Sequence, residues 1–378
     1  MKIAVAKELH PGETRVPLIP STAAALVKLG AEVLIEKDMG SSAFFRDDDY
    51  EKEGARIVKD QKALFGESDI IVRLRKPSVH DIMLLKKGAI HISYLDPFNE
   101  PDLIDKFIKQ GISAISMELI PRTTLAQKMD ALSSQASLAG YVAVILAAEN
   151  LDKVFPMMMT PAGTIAPSKV FIIGAGVAGL QAIATAKRLG ARVEAFDTRA
   201  VVEEQVQSLG AKFIKVDLGE TGQTKDGYAK ALTEDQLAKQ REAMSKHCAQ
   251  ADVVITTAQV FGKKAPVIVT KDMISGMRAG SVIVDLAVET GGNVEGSKAG
   301  KITEQNGVKL IGLENLPGQV AVHASQMYSS NVGNLITHFW DKENKAFRLD
   351  TADEIVKGCL VTHNGEIFSE TLKKQTKG

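Results

Sequence analysis

The 378-residue chain balances 46 Lys and Arg against 46 Asp and Glu, and 45% of its residues are hydrophobic but only 5% aromatic. That length and composition imply two domains with real cores, and zero net charge leaves neither a basic footprint for nucleic acid nor a polybasic arm for an anionic membrane. Cys248 and Cys359 stand far apart without CxxC or Cys/His spacing, which argues against a disulfide framework or structural zinc and fits a reducing compartment.

The opening, MKIAVAKELHPGE, is charged within two residues and has no apolar core ahead of a cleavage site. It does not read as a signal peptide, and the chain is expected to stay inside the cell. Strand-like runs at 3–6, 33–35, 70–74, 89–93 and 114–117, with a helix over 21–29, have the rhythm of βαβ units but carry no glycine fingerprint. Between 121 and 150 the pattern turns to a long helix, ASLAGYVAVILAAEN, whose first half is rich in Ala, Ser and Gly and suits close packing between domains. Its most apolar stretch, 139–148, is about half the length that spans a bilayer, so no transmembrane segment is expected. Met157, Met158 and Met159 follow and read as adaptable core filling rather than a ligand set.

Residues 170–199, VFIIGAGVAGLQAIATAKRLGARVEAFDTR, organise the rest. Val170 to Ile173 is a short apolar run of the kind found in parallel strands covered on both faces. Gly174, Gly176 and Gly179 then form GxGxxG: the first permits a tight turn, the second lets backbone approach a pyrophosphate, and the third lets helix and strand pack closely. A helix over 177–189 would present its N-terminus to the phosphates and stop at Gly190. The strand 192–196 delivers Asp197, 18 residues beyond Gly179, where a carboxylate accepts from both hydroxyls of an adenosine ribose and repels a 2′-phosphate. GxGxxG alone also arises by chance among 31 glycines, but strand, helix, stop and acid in register point to a dinucleotide site and to NAD over NADP. Arg199 leaves the second choice open, since a nearby arginine can receive a 2′-phosphate.

Further strands at 213–216, 253–256, 282–286 and 309–313 bring this half to six. The connection 217–246 is long and polar before it becomes an amphipathic helix; with Tyr228 near its tip it reads as a lid, or as a surface loop with an incidental tyrosine. After Leu316-Pro317-Gly318, a helix near 325–340 would cross back to the first domain. The expected fold is therefore α/β, with two Rossmann-like, doubly wound parallel-sheet domains joined by long helices and a cleft between them. The first, discontinuous domain takes 1–129 and 318–378; the second takes 130–317, with a mobile loop near 217–236.

Five stretches carry a family resemblance: KIAVAKELHPGETRVPLIP, PRTTLAQKMDALSSQASLAGY, FPMMMTPAGTIAPSKVFIIGAGVAGLQAIATAKRLGA, GYAKALTEDQ and DLAVETGGN. The chain resembles the NAD(H)-binding component, domain I or the alpha-1 subunit, of proton-translocating nicotinamide nucleotide transhydrogenase, in a wider family that includes alanine dehydrogenase. The second stretch is specific to the transhydrogenase branch. The resemblance implies that Arg122, Gln127, Asp130 and Ser133 hold the nicotinamide and its ribose, with Thr123, Thr124, Lys128 and Met129 as backbone neighbours. It assigns Val177, Ala178 and Gly179 to the pyrophosphate, Asp197, Thr198 and Arg199 to the adenosine ribose, Gly227 and Tyr228 to a closing loop, and Gln240 and Gln259 to further contacts. It also implies NAD(H) on this chain and NADP(H) on a partner domain, a separate membrane-spanning subunit, a homodimer, and a cytoplasmic, peripheral place on the cytoplasmic face of the inner membrane.

On their own chemistry, Arg122, Gln127 and Asp130 offer donors and acceptors for a carboxamide and ribose hydroxyls at a strand-to-helix corner of a cleft; the alternative is an Arg–Asp pair that merely caps the long helix. Gln240 reads equally as part of a charged, solvated helical face. Hydride transfer between two nicotinamides needs no acid, base or metal, so the site need only position its reactants. Two other functions compete. An alanine dehydrogenase of this kind would use a lysine and a histidine where this chain has Arg75 and Asp96, and a carboxylate does not serve as a cationic acid; Arg15, resembling the arginine for the substrate carboxylate, is present. An NAD-binding sensor would share the fold without the chemistry. The seven histidines show no metal spacing, and only His91, ahead of Asp96, invites inspection.

Overall fold

The computed structural model describes residues 1–219, 232–259 and 262–376. The chain divides into two compact units, Met1–Gln135 with Gly318–Gly378, and Ala136–Pro317. The first unit opens with strands β1 (Lys2–Val5), β2 (Glu32–Glu36), β3 (Arg56–Val58), β4 (Ile70–Val72), β5 (Ile90–Ser93) and β6 (Ser113–Ser116). The second holds a hairpin, β7 (Met158–Thr160) and β8 (Gly163–Ile165), then β9 (Lys169–Ile173), β10 (Arg192–Phe196), β11 (Lys212–Phe213), β12 (Val253–Thr256), β13 (Val282–Asp285), β14 (Lys301–Gln305) and β15 (Val308–Gly312). The chain returns to the first unit with a small hairpin, β16 (Trp340–Asp341) and β17 (Ala346–Phe347), and ends its sheet with β18 (Leu360–His363) and β19 (Glu366–Ile367).

The first sheet runs β19-β18-β6-β5-β4-β1-β2-β3, parallel from β1 to β6 with β18 and β19 added antiparallel. Its central strands are apolar on both faces because both are covered. Ile3, Val5, Val33, Ile35, Ile70, Val72 and Ile92 pack on one side with Leu26, Tyr328, Val332 and Leu335; Ala4, Leu34, Ile71 and Ala114 pack on the other with Leu64, Phe65, Ile82 and Phe107. The second sheet runs β11-β10-β9-β12-β13-β15-β14, all parallel except the edge strand β14. Chain order reverses between β9 and β12, and the carboxyl ends of strands at such a reversal form the crevice where α/β sheets bind ligands. Both units are thus Rossmann-like α/β folds.

Four anticipated helices form close to their expected bounds, as Pro20–Lys28, Ala131–Asn150, Val177–Arg188 and Ala321–His338. Ala131–Asn150 is longer than its most apolar stretch suggested: at 20 residues it is long and apolar enough to cross a membrane, yet Val142, Ala143, Val144 and Ala147 are buried within the protein. Of the unanticipated strands, β3, β14 and β19 lie at sheet edges, where exposure permits polar residues such as those of KITEQ, whereas β18 lies one strand in and is buried. The second sheet therefore has seven strands, not six, and the strand expected at 213–216 shrinks to Lys212–Phe213. Met157, Met158 and Met159 correct the reading of core filling: they are 58%, 42% and 77% exposed, because β7 and β8 pair only with each other.

His91 lies between Ile90 and Ile92 on β5, fully buried, its ring centroid 5.3 Å from that of Phe107 and its Nε2 3.0 Å from Ser93 Oγ. Burial, reinforced by the charge of Arg73, pushes its pKa down from 6.5 to about 3, so it is a neutral core histidine. Unfolding frees a ring that takes up a proton below its ordinary pKa, whereas the folded state refuses one until about 3. The histidine costs no stability above the ordinary value and an increasing amount as pH falls below it, by up to about 1.4 kcal/mol per pH unit. Urea unfolding of the wild type and His91→Phe from about pH 7 down to about pH 5 should show the wild type losing stability relative to the variant; a pH-independent difference would contradict a neutral His91.

Candidate functional site

In the second unit, β9 ends at Ile173 and the chain turns at Gly174, whose φ of +99° favours glycine. The helix Val177–Arg188 starts immediately, with Gly176 at its N-cap and Leu180 N bonded to Gly176 O at 2.8 Å. A Cβ on Gly179 would lie 1.9 Å from Gly174 O, so helix and strand approach as they do only because no side chain stands between them. A Cβ on Gly176 would meet nothing closer than an Arg199 Nη2 at 3.9 Å, which leaves room beside the turn for a ligand group. The first-turn N–H groups at Val177, Ala178 and Gly179 have no intrahelical acceptors by helix geometry and carry the positive end of the dipole. An anion fits there.

Asp197 follows β10 and is nearly buried. It is tied to the glycine-rich turn directly: Ala175 N donates to Oδ2 at 2.7 Å. Arg199 occupies the rest of the carboxylate, with its backbone N and Nε on Oδ1 at 2.9 Å each and Nη2 on Oδ2 at 2.8 Å. An arginine fork therefore already lies on the acid whose position alone suggested a ribose contact. Thr198 lies between the two.

Beyond β12, Thr257 Oγ1 donates to Gly174 O at 3.0 Å, and Gln259 is exposed, its Nε2 donating to Leu286 O at 3.0 Å. Fully buried Asn293 fixes this loop: Ala258 N donates to its Oδ1 at 3.0 Å and its Nδ2 donates to Ala258 O at 2.8 Å. Asp285 in turn accepts from the backbone N of Asn293, Ala287 and Val294. Gln240, on the helix Glu234–Gln250, is buried; it does not lie on a solvated face, because that face packs into the unit with Met244 and Cys248. Gly227 and Tyr228 lie outside the described residues, as does most of the loop expected at 217–236. At its flanks Thr233 and Gln236 form a capping box and Gln236 Nε2 donates to Leu218 O at 2.9 Å.

The loop expected to hold the nicotinamide belongs to the first unit. Asp130 stands at the N-terminus of Ala131–Asn150 and accepts from Ser133 N at 2.8 Å and Ser133 Oγ at 2.6 Å, while Arg122 Nε approaches its Oδ2 at 3.8 Å. Arg122, Asp130 and Ser133 are thus brought together, in the helix-capping arrangement that their spacing also allowed. Thr123, Thr124, Gln127 and Lys128 are exposed; Met129 is buried. The Gln127–Met129 turn is held through Lys128 O, which accepts from Asn331 and Asn334 Nδ2.

At the carboxyl ends of the first sheet, Glu13 gathers the two arginines of interest. Arg15 Nε and Nη2 donate to it at 2.8 and 2.7 Å, and Arg75 Nε donates to Oε2 at 2.7 Å. Against the opposing cost of burial, these guanidiniums hold the Glu13 pKa down to about 2. Asp96 is exposed, with φ +51° and its side chain on Asn99 Nδ2 at 2.8 Å. Sequence reading missed Glu13, Asn293 and Gly140. The first two lie within the stretches KIAVAKELHPGETRVPLIP and DLAVETGGN, and Gly140 is an isolated glycine inside a helical pattern, itself a signal of close approach. A Cβ on Gly140 would lie 2.1 Å from Ala178 O.

By fold and site this is a two-unit Rossmann-like α/β protein with a glycine-rich turn and a paired acid in its second unit. Residues 4–139 match the pattern described as alanine dehydrogenase/PNT, N-terminal domain, and residues 143–370 match alanine dehydrogenase/PNT, C-terminal domain. The chain belongs to the alanine dehydrogenase/PNT family. The first of the chains that make up NAD(P) transhydrogenase subunit alpha in Rhodospirillum rubrum is 44% identical over 382 residues, covering 99% of this chain and 100% of that protein. NAD(P) transhydrogenase subunit alpha of Haemophilus influenzae is 41% identical over 97% of this chain and 71% of its own length. Among solved structures, transhydrogenase from Sinorhizobium meliloti matches with TM-score 0.85 at 41% identity, over 98% of this chain and 100% of that one. An L-alanine dehydrogenase matches with TM-score 0.82 at 26% identity, over 100% and 99%.

Gly140→Ala tests how tightly the long helix is seated on the start of Val177–Arg188. Alanine is the better helix former by about 1 kcal/mol, but its methyl must displace the Ala178 carbonyl, an overpacking cost of roughly 1–3 kcal/mol. Urea unfolding should show a net loss of stability; an unchanged or raised midpoint would mean that the helix shifts freely.

Proposed function

We propose that this chain is the NAD(H)-binding component of a proton-translocating NAD(P) transhydrogenase, passing hydride directly from NADH to NADP+ held on a partner domain. The reading rests on one coincidence: a chain 44% identical along its length to the first chain of a transhydrogenase alpha subunit also builds an anion turn whose Ala175 N is tied to Asp197. In this reading Val177, Ala178 and Gly179 bind the pyrophosphate through their N–H groups, and Asp197, Thr198 and Arg199 bind the adenosine ribose, with Gly174 and Gly176 keeping the approach open. Arg122, Gln127, Asp130 and Ser133 orient the nicotinamide end, with Thr123, Thr124, Lys128 and Met129 around them. Gln240, Gln259, Gly227 and Tyr228 complete the contacts.

Bound NADH supplies the hydride, and no proton accompanies it. The chain's own residues therefore need to orient and to exclude water rather than to donate or abstract protons. Coupling to proton movement belongs to a separate membrane subunit, and this chain to a peripheral position on the cytoplasmic face. The greater length of the Haemophilus influenzae relative supports the presence of further domains or chains. Homodimerisation is supported by the exposed apolar side chains of Met157, Met158, Met159 and Ile165 on and beside the β7–β8 hairpin, since such a patch commonly marks a protein contact.

The test is transfer of deuterium from C4-labelled NADH to NADP+ with this protein and a separately made NADP(H)-binding domain of a transhydrogenase, after sedimentation has established a two-chain mass. Label in NADPH only when both proteins are present is expected. Label in alanine when pyruvate and ammonia replace NADP+ would make the chain an amino-acid dehydrogenase; tight NADH binding with transfer to neither acceptor would make it a sensor.

A further inference from the structure

The helix Ala321–His338 carries polar side chains on its buried face, and several of them hold backbone groups of loops in the first unit. Ser325 Oγ and Ser329 Oγ accept from Val16 N and Ile19 N at 2.9 and 3.0 Å, and Tyr328 Oη donates to Arg73 O at 2.8 Å. Asn331, 7% exposed, uses both ends of its amide. Its Nδ2 donates to Lys128 O at 2.8 Å and its Oδ1 accepts from Ser134 Oγ at 2.7 Å. One side chain therefore joins the Gln127–Met129 turn to the first turn of Ala131–Asn150. Asn334, three residues on and facing the same way, adds a 3.2 Å bond to Lys128 O.

Ala126 and Met129 anchor the turn in the core, and Gln127 stands exposed between them. Apolar packing fixes how deep such a turn sits but is non-directional, whereas a hydrogen bond onto a carbonyl also fixes the orientation of the peptide that carries it. The Lys128 carbonyl follows Gln127 by one residue, so its orientation sets the direction in which Gln127 leaves the turn. We propose that Asn331 is a positioning residue for Gln127: it touches no cofactor, but by holding Lys128 O and Ser134 Oγ together it aims the Gln127 side chain at the nicotinamide. The proposal rests on the reading of this loop as the nicotinamide end of the site. Leucine has a similar volume and makes neither bond, so Asn331→Leu removes the direction while keeping the bulk.

The experiment is a double-substitution cycle on the full chain, with wild type, Asn331→Leu, Gln127→Ala and the two together. Single-turnover transfer of deuterium is followed from C4-labelled NADH to NADP+ on a separately made NADP(H)-binding domain of a transhydrogenase, and Kd for NADH is measured by nucleotide fluorescence. Asn331→Leu is expected to slow transfer at saturating NADH by roughly tenfold, the scale of a small misplacement at a reacting centre, with Kd changed by no more than about twofold. In the Gln127→Ala background the same substitution is expected to cost about twofold or less, because the side chain it aims is gone. An equal tenfold loss in both backgrounds would mean a merely structural role and overturn the proposal. Unchanged transfer, or a loss that appears wholly in NADH affinity, would overturn it as well. If Asn331→Leu does not fold, Asn331→Ser, too short to reach Lys128 O, completes the same cycle. A wild type that transfers label, with two substitutions whose effects simply multiply, defeats only the positioning; a folded wild type that binds NADH and passes no label to NADP+ defeats the transhydrogenase reading beneath it.

Discussion

The Gly174 carbonyl oxygen lies where a side chain at Gly179 would begin, and the second unit depends on that close approach. It sets the N-terminus of Val177–Arg188 against the end of β9, and the surroundings hold it in place. Thr257 donates to the same carbonyl, Asp197 receives Ala175 N from within the turn, and Gly140 brings the long helix onto Ala178 O. Strand, turn and helices thus converge where the strand order reverses, with first-turn N–H groups directed at that point. A sheet of this topology has its crevice there for reasons of chain path alone; the glycines make the crevice accessible to backbone donors.

The first unit uses different chemistry at the equivalent end of its sheet. It has no GxGxxG fingerprint after β1; buried charges stand there instead, with Glu13 gathering Arg15 and Arg75. A buried carboxylate without partners would be strongly disfavoured, and paired with two guanidiniums it remains ionised far into acid. This is an internally satisfied network. Asp197 and Arg199 in the second unit are also mutually satisfied, but they lie beside open space at Gly176, so a ligand can compete for them.

Much of this was legible in the sequence, and what was not has physical causes. The strands β1, β4, β9, β12 and β13 are buried on both faces and must be apolar, so their residues announce them. The fingerprint turn is legible because only glycine meets its steric demands. Edge strands such as β3 and β14 carry no comparable signal, since exposure frees their composition. Met157 to Met159 misled because methionine is a common core filler, and nothing in its side chain tells that the segment folds back on itself as an exposed hairpin. The residue types at 197 and 199 were noticed as acid and arginine, but whether the arginine faces the ligand position or the acid is a matter of rotamer, which spacing does not encode. Glu13 and Asn293 escaped for a related reason: Glu13 also holds Arg75 and Asn293 holds the Ala258 backbone, and neither of these partners is near in sequence.

The most direct measurement is a crystal structure of the chain with NADH bound. The account predicts pyrophosphate oxygens within hydrogen-bonding distance of Val177 and Ala178 N–H, and the adenosine ribose on Asp197. Density for the adenosine half elsewhere in the second unit, with the Gly174–Gly179 turn untouched, would contradict it.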